Sequence, residues 1–175
     1  MTGTIWTIGH SNHAWEHFQS LLERQSIKAL ADVRRFPGSR KHPQFGGDAM
    51  ADTLRKAGID YTHYQALGGR RQRTITNSPN TAWRVSSFNY YADYAATAEF
   101  EQALQSLAET ASRQSTAMMC SEALPWRCHR RIIADVLLAR GWTVLHILDR
   151  NAPKPHTLPD FAQVFEGQVT YPALA

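Results

Sequence analysis

The sequence predicts an α/β fold with three layers, α/β/α, around a mostly parallel sheet of about five strands. Short apolar or β-prone segments alternate along the chain with segments whose apolar residues recur every three to four positions, as in βαβ units. Residues 27–33 are almost continuously apolar, which is typical of a strand that is buried on both faces of a parallel sheet. Repeated βαβ units place helices on both faces of such a sheet.

Glycine, proline and polar residues delimit the individual elements. Strands are predicted at residues 4–9, 27–33, 59–64, 116–120 and 142–148. Helices are predicted at residues 13–25, 48–56, 90–112 and 130–140, with Asp48 as the cap of the second helix. Residues 67–87 form a long irregular segment, and such loops often carry function.

The length of 175 residues predicts one domain, with residues 1–150 as the α/β unit and residues 151–175 as a C-terminal extension packed on it. We expect no membrane segment, because nothing near 18 consecutive apolar residues occurs. The first residues lack the features of a secretion signal, so a cytoplasmic location is the default expectation. Neither a cofactor nor an oligomeric state is indicated.

Charge and cysteine content narrow the function classes. The net charge of +4 and the isoelectric point near 9.3 favour an anionic ligand. Cys120 and Cys128 are too few for a disulfide framework, and no C-x-x-C spacing indicates zinc. P-loop, dinucleotide-binding G-x-G-x-x-G and H-E-x-x-H motifs are absent, as is the C-x₅-R phosphatase spacing.

Polar residues follow the ends of all five predicted strands. Ligands of open α/β sheets bind at the carboxyl ends of the strands, so we expect these residues to form one active or binding site. They are His10 and Ser11 after the first strand, Asp32 and Arg34 after the second, Arg70 after the third, Cys120 and Glu122 after the fourth, and Asp149 and Arg150 after the fifth.

The segment at residues 120–130 carries the most chemistry. Cys128, His129 and Arg130 are expected at a helix N-terminus, where backbone N–H groups and the helix dipole favour an anion and lower the pKa of a thiol. Cys128 is therefore a candidate thiolate. Glu122 can act as a carboxylate clamp or a general acid or base.

These residues fall in a recognisable set of motifs: residues 7–11 (TIGHS), 32–34 (DVR) with Pro37 and Ser39, 67–69 (LGG), 120–122 (CSE), 128–130 (CHR) and 146–147 (HI). The set resembles the domain of unknown function 488 family (DUF488), with Ser121 in place of a commoner alanine. The resemblance implies a compact α/β fold and a shared polar site, and it implies no reaction. His10, Arg34, Glu122, Cys128, His129 and Arg130 are its motif positions.

Each candidate also has a purely structural interpretation. Asp32 and Arg34 can form a pair that orders a loop, and Cys120 can be an inert buried thiol. His146 is expected as a hydrogen-bonded core histidine. The aromatic stretch that contains Trp83, Tyr91 and Tyr94 is expected to pack on the sheet, with base stacking as the alternative. Arg70 and Arg71 can lie on a solvated loop.

The leading hypothesis is an enzyme, such as a hydrolase or transferase, that acts on a small phosphate-bearing or otherwise anionic substrate, including a nucleotide. The predicted catalytic residues are Glu122, Cys128 and His10, and the predicted substrate-binding residues are Ser11, Arg34, Arg70, Cys120, His129 and Arg130. A nucleic-acid-binding module is the second hypothesis, because the chain is basic and its 70–84 loop is rich in arginine. Thiol redox chemistry or sulfur transfer through Cys120 and Cys128 is the third. A metal site built from His10, His129 and the thiols is the fourth.

Overall fold

The computed structural model describes residues 2–149 and 151–174, so Arg150 and both terminal residues lie outside the described part. Within that part the chain has the predicted α/β architecture. The central sheet contains β1 (Thr4–Gly9), β2 (Ala29–Asp32), β3 (Asp60–His63), β4 (Thr116–Cys120), β5 (Thr143–His146) and β6 (Lys154–Pro155). The helices are α1 (Trp15–Arg24), α2 (Gly47–Lys56), α3 (Ser86–Tyr94), α4 (Ala98–Arg113) and α5 (Arg130–Ala139). A separate hairpin pairs β7 (Gln163–Phe165) with β8 (Gln168–Thr170).

The strand order of the central sheet is β3-β2-β4-β1-β5-β6, with β1 to β5 parallel and β6 antiparallel to β5. Every residue of β2 and β4 is buried, as expected for inner strands of a parallel sheet. The register aligns Gly9 with Cys120 and Asp32 with Met119. The carboxyl ends of β1, β2 and β4 therefore lie side by side at one edge.

Two apolar cores cover the two faces of the sheet. On one face α1 and α2 contribute Phe18, Leu22 and Leu54, all fully buried. On the other face α3, α4 and α5 pack together, with Phe100 and Ile133 among their buried residues. Burial of each such side chain contributes about 1.5–3 kcal/mol. Because α1 follows β1 on one face and α5 follows β4 on the other, the chain leaves these neighbouring strands in opposite directions, which opens a crevice between them.

The prediction of a single helix at residues 90–112 is wrong, because two helices occupy this region. Helix α3 ends at Tyr94, and α4 begins after Thr97, whose hydroxyl accepts a hydrogen bond from the backbone N–H of Phe100. Glu99 and Glu101 in the first turn favour the same helix start through the helix dipole. Thr97 is thus an N-cap residue that starts a new helix within a segment whose apolar spacing alone indicates one continuous helix.

The predicted cap of the second helix is also wrong. Helix α2 begins at Gly47, and its N-cap residue is Gly46. Asp48 lies within the first turn, where its negative charge interacts favourably with the helix dipole. In the tail, the short strands β6, β7 and β8 were not predicted, because two or three residues are too few to show a periodicity. Tyr171 of the tail is 1% exposed and belongs to the apolar core on the face of α3, α4 and α5.

None of the helices in the described part of the chain combines the length and the apolar character needed to cross a membrane.

Candidate functional site

A cavity of about 610 Å³ lies at the carboxyl edge of β1, β2 and β4. Seven of the nine predicted site residues form part of its wall: His10, Arg34, Arg70, Cys120, Glu122, Cys128 and His129. The other two, Ser11 and Arg130, lie next to the cavity wall without lining it in the described structure. The sheet topology thus brings together residues that are up to 119 positions apart in the chain, from His10 to His129.

Both cysteines of the chain belong to this wall. Cys120 ends β4 and Cys128 precedes α5, and their sulfur atoms are 2.8 Å apart as free thiols. The exposed fractions of the two residues are only 3% and 6%, and both line the cavity. A molecule in the cavity can therefore reach the sulfurs while bulk solvent has little access to them.

Hydrogen bonds distinguish the two sulfurs. The Cys128 Sγ accepts a hydrogen bond from the backbone N–H of Arg130 at 3.3 Å and lies 3.5 Å from His129 Nδ1. Burial opposes ionisation of Cys128, but the hydrogen bond from the Cys120 thiol and the neighbouring His129 outweigh it and lower the pKa of Cys128 well below its ordinary value. Burial, together with the adjacent Cys128 sulfur, raises the pKa of Cys120. Of the two thiols, Cys128 is therefore the one whose ionisation these surroundings favour.

The orientation of His129 is fixed from its far side. Its Nε2 lies 2.7 Å from the carbonyl oxygen of Val33, which can only accept, so Nε2 carries a hydrogen. This leaves Nδ1 facing the sulfur of Cys128, either to accept the thiol proton or to donate to the thiolate. A nucleophile, a base and a group that orients the base are the elements of activated-nucleophile sites.

Arg130 lies beneath the sulfurs and is 1% exposed. Its guanidinium donates to the carbonyl oxygen of Glu122 at 2.6 Å and to Thr7 Oγ1 at 3.3 Å, while its Nε is buried without a partner. No carboxylate of the described residues forms an ion pair with it. Burial alone would lower the pKa of Arg130, and the sulfurs of Cys120 and Cys128 raise it instead.

A chain of buried hydrogen bonds holds Thr7 in place under Arg130. Thr7 Oγ1 lies 2.6 Å from His146 Nδ1, His146 Nε2 lies 2.9 Å from His156 Nδ1, and His156 Nε2 donates to Asp135. The hydroxyl of Tyr171 donates to the other carboxylate oxygen of Asp135. His146 is thus the hydrogen-bonded core histidine that the sequence predicts. His156 and Asp135 were missed, since nothing in the sequence relates the tail to the strand ends.

Arg34 forms an ion pair with Asp32, as the structural interpretation of these two residues predicts. Its Nε and Nη2 donate to the two carboxylate oxygens of Asp32 at 2.9 and 2.7 Å, and Tyr61 donates to Asp32 as well. The remaining Nη1 lies 3.3 Å from His10 Nε2, at the cavity wall. Asp32 therefore balances the charge of Arg34, and only one of its nitrogens faces the cavity side.

His10 is held as a neutral hydrogen-bond acceptor. Its Nδ1 donates to the carbonyl oxygen of Ser11 at 2.8 Å, so its Nε2 accepts from Arg34, and its ring stacks on Phe45 at 4.4 Å between centroids. Burial is the main cause that lowers the pKa of His10 to about 4. Ser11 contributes this backbone carbonyl and has a positive φ of 48°.

Basic side chains dominate the ionisable part of the cavity wall. Arg35, Lys41, Arg70 and Arg127 line it together with the half-buried Glu122, whose Oε1 accepts from the backbone N–H of Leu124. The 37–47 loop contributes Lys41 to the wall, and Lys41 is not among the residues predicted for the site. A loop of glycine, proline and polar residues has no periodicity, so its sequence does not show which side chains face inward.

Arg71 and the neighbouring aromatic residues serve the packing of the loop. The Arg71 guanidinium lies 3.8 Å from the ring centroid of Tyr94 and donates to the carbonyl oxygen of Gly68. Trp83, Tyr91 and Tyr94 are buried, as the packing interpretation predicts. Their ring faces are therefore not presented for base stacking.

Glycines permit the close contacts around the site. A Cβ on Gly9 would lie 1.8 Å from the carbonyl oxygen of Glu122, and one on Gly69 would lie 2.9 Å from His129 Nδ1. Any other residue at position 9 would push the segment after β4 away from β1. In residues 2–149 and 151–174, no group of three or more His, Cys, Asp or Glu is arranged to hold a metal ion.

The buried histidines predict a pH-dependent stability. Burial lowers the pKa of His10 to about 4 and that of His146 to about 3, whereas an unfolded histidine titrates near pH 6.5. Between about pH 6.5 and pH 4 the unfolded state binds more protons than the folded state. The contribution of these histidines to the free energy of unfolding is therefore fully present above about pH 6.5 and falls as the pH is lowered through this range. Each group adds a slope of up to about 1.4 kcal/mol per pH unit. Urea unfolding at several pH values should show a shallower slope for His10→Gln than for the wild type, and equal slopes would contradict the neutral state of His10.

The comparisons with known proteins give one match. The family model described as Domain of unknown function DUF488 matches residues 14–137, well over half of the chain. The match includes Arg34, Arg70, Glu122 and the 128–130 segment, and it leaves His10 outside. No curated protein and no solved structure matches the chain. The chain therefore belongs to the DUF488 family.

Proposed function

We propose that the protein is an enzyme of thiol chemistry that acts on a small anionic substrate in the basic cavity. Cys128 is the attacking thiolate, and Cys120 is the second thiol that resolves the covalent intermediate. The observation that carries the proposal is the sulfur pair, with 2.8 Å between the two atoms and the pKa lowered on Cys128 and raised on Cys120. The proposal combines two hypotheses from the sequence: the anionic substrate of the enzyme hypothesis and the Cys120–Cys128 pair of the thiol-redox hypothesis.

The reaction class is thiol–disulfide exchange. The Cys128 thiolate attacks one sulfur of a substrate disulfide, forms a mixed disulfide and releases the other half of the substrate as a thiolate. Cys120 transfers its proton to a nearby base, for which His129 is the candidate, and its sulfur attacks Cys128 Sγ. This attack releases the second half of the substrate and leaves a Cys120–Cys128 disulfide. Two protein thiols are oxidised while one substrate disulfide is reduced, and an external dithiol restores the enzyme.

The surroundings of the sulfurs support these roles. His129, oriented by Val33, can take and return the proton. Arg35, Lys41, Arg70 and Arg127 give the cavity a positive potential, which favours anionic substrates. His10 accepts from Arg34, an arrangement that suits positioning better than proton transfer.

Trapping of the intermediate tests the order of attack. With the aromatic disulfide dithiobis(nitrobenzoate), which is anionic, Cys120→Ser should stop at a mixed disulfide on Cys128, because the resolving thiol is missing. The wild type should instead lose the mass of two hydrogens and carry no adduct. Intact-mass spectrometry distinguishes the two products.

The matched control for this trapping is Cys128→Ser. It should react much more slowly, since Cys120 is a protonated thiol. If Cys128→Ser reacts as fast as Cys120→Ser, or if the wild type accumulates a stable adduct, the assignment of Cys128 as the attacking sulfur is wrong.

Charge selectivity tests the anionic substrate. Arg70 lines the cavity, whereas Arg73 in the same exposed loop does not, so Arg73→Ala is the control for Arg70→Ala. The rate with dithiobis(nitrobenzoate) should fall roughly three- to tenfold in Arg70→Ala only, as the loss of a cation near an anion predicts. With uncharged dithiodipyridine the two variants should react alike. An equal loss with both reagents would indicate damage to the thiols rather than loss of anion binding.

A further inference from the structure

An apolar groove adjoins the basic cavity. Its volume is about 1000 Å³, and Ser87, Phe88 and Arg127 belong to the walls of both the groove and the cavity. The two spaces are therefore direct neighbours, with Cys128 at the wall of the basic cavity and an apolar surface on the far side of the shared residues.

The groove wall combines buried and half-buried apolar side chains with exposed ones. Trp83, Val85, Trp126 and Phe161 contribute to its wall. Val85 is 53% exposed and Trp126 is 45% exposed, which places both among the large apolar residues that are exposed in the described part of the chain. A contiguous apolar surface of this kind is typical of a binding groove.

Three cations border this apolar surface: Arg84, Arg127 and Arg131. Arg127 stands where the groove meets the cavity, and the Arg131 guanidinium lies over the Trp83 ring at 4.6 Å from its centroid. An apolar wall with a few charged groups at one side is the usual composition of a small-molecule site, in which the charges orient the ligand.

We propose that the groove binds the apolar body of the substrate whose anionic group lies in the basic cavity. The substrate class is then an amphiphile, in which an anionic group is joined to an aliphatic or aromatic body. This inference rests on the proposed function, because it extends the ligand that the thiols act on. The shared wall favours the substrate over a separate partner protein, since a ligand in the cavity would meet the groove directly.

Binding of alkyl phosphates tests the inference without any turnover. Isothermal titration calorimetry with methyl, butyl and hexyl phosphate should show affinity rising with chain length in the wild type. Burial of each methylene raises the affinity roughly fourfold, so hexyl phosphate should bind at least about tenfold more tightly than methyl phosphate.

A matched pair of valine variants locates the effect. Val85→Ser should weaken hexyl phosphate binding at least about threefold and leave methyl phosphate binding unchanged, because it removes apolar wall only from the groove. Val164→Ser is the control, since Val164 is 45% exposed on β7 and lies outside the groove wall. It should leave the whole series unchanged.

The outcomes separate this inference from the proposed function. Equal affinities for methyl and hexyl phosphate in the wild type, or equal effects of the two valine variants, overturn the inference. If this happens while Cys128 still forms the trapped mixed disulfide, the proposed function stands. If the affinities rise with chain length while Cys128 is inert, the thiol chemistry is wrong and the groove remains a binding site.

Discussion

The charge of Arg130 must be balanced inside the protein, and the candidate site depends on how this is done. Its guanidinium is 1% exposed, and removal of such an ion from water costs several kcal/mol unless a partner compensates. The two fully buried carboxylates of the described chain are already engaged, Asp32 by Arg34 and Asp135 by His156. The sulfurs of Cys120 and Cys128 lie beside Arg130 and raise its pKa, so the buried cation favours ionisation of a thiol at this place.

Several other features hold Arg130 and the sulfurs in place. Thr7 and the carbonyl oxygen of Glu122 accept hydrogen bonds from Arg130. Thr7 in turn is hydrogen-bonded to His146, which contacts His156 of the tail. Gly9 lets the segment after β4 approach β1 closely enough for the Glu122 carbonyl to reach Arg130. The topological switch between β1 and β4 provides the crevice itself. The sulfur pair, the buried cation and the basic cavity are therefore parts of one arrangement.

Much of this arrangement could be predicted from the sequence, because parallel strands end at a common edge. The strand ends led to five residues of the cavity wall, and the expected helix start at residues 128–130 led to Cys128 and His129. The apolar segments gave the order of strands and helices along the chain, with one helix and the three short strands of the tail missing. Details of contact could not be predicted. A spacing of eight residues does not show that Cys120 touches Cys128, and an arginine at a helix start gives no sign of being buried. His156 joins the site through a strand of two residues, which leaves no pattern in the sequence.

The ionisation state of Cys128 in the native protein tests the account most directly. The ultraviolet absorbance of the thiolate can be followed against pH in the wild type, with Cys128→Ser to assign the signal and Cys120→Ser as the complementary variant. The account predicts a thiolate that forms well below the ordinary cysteine pKa of 9.0 and disappears in Cys128→Ser, while Cys120 stays protonated. Two thiols that both ionise at or above the ordinary value would contradict the account, because Arg130 would then be left without its counter-charge.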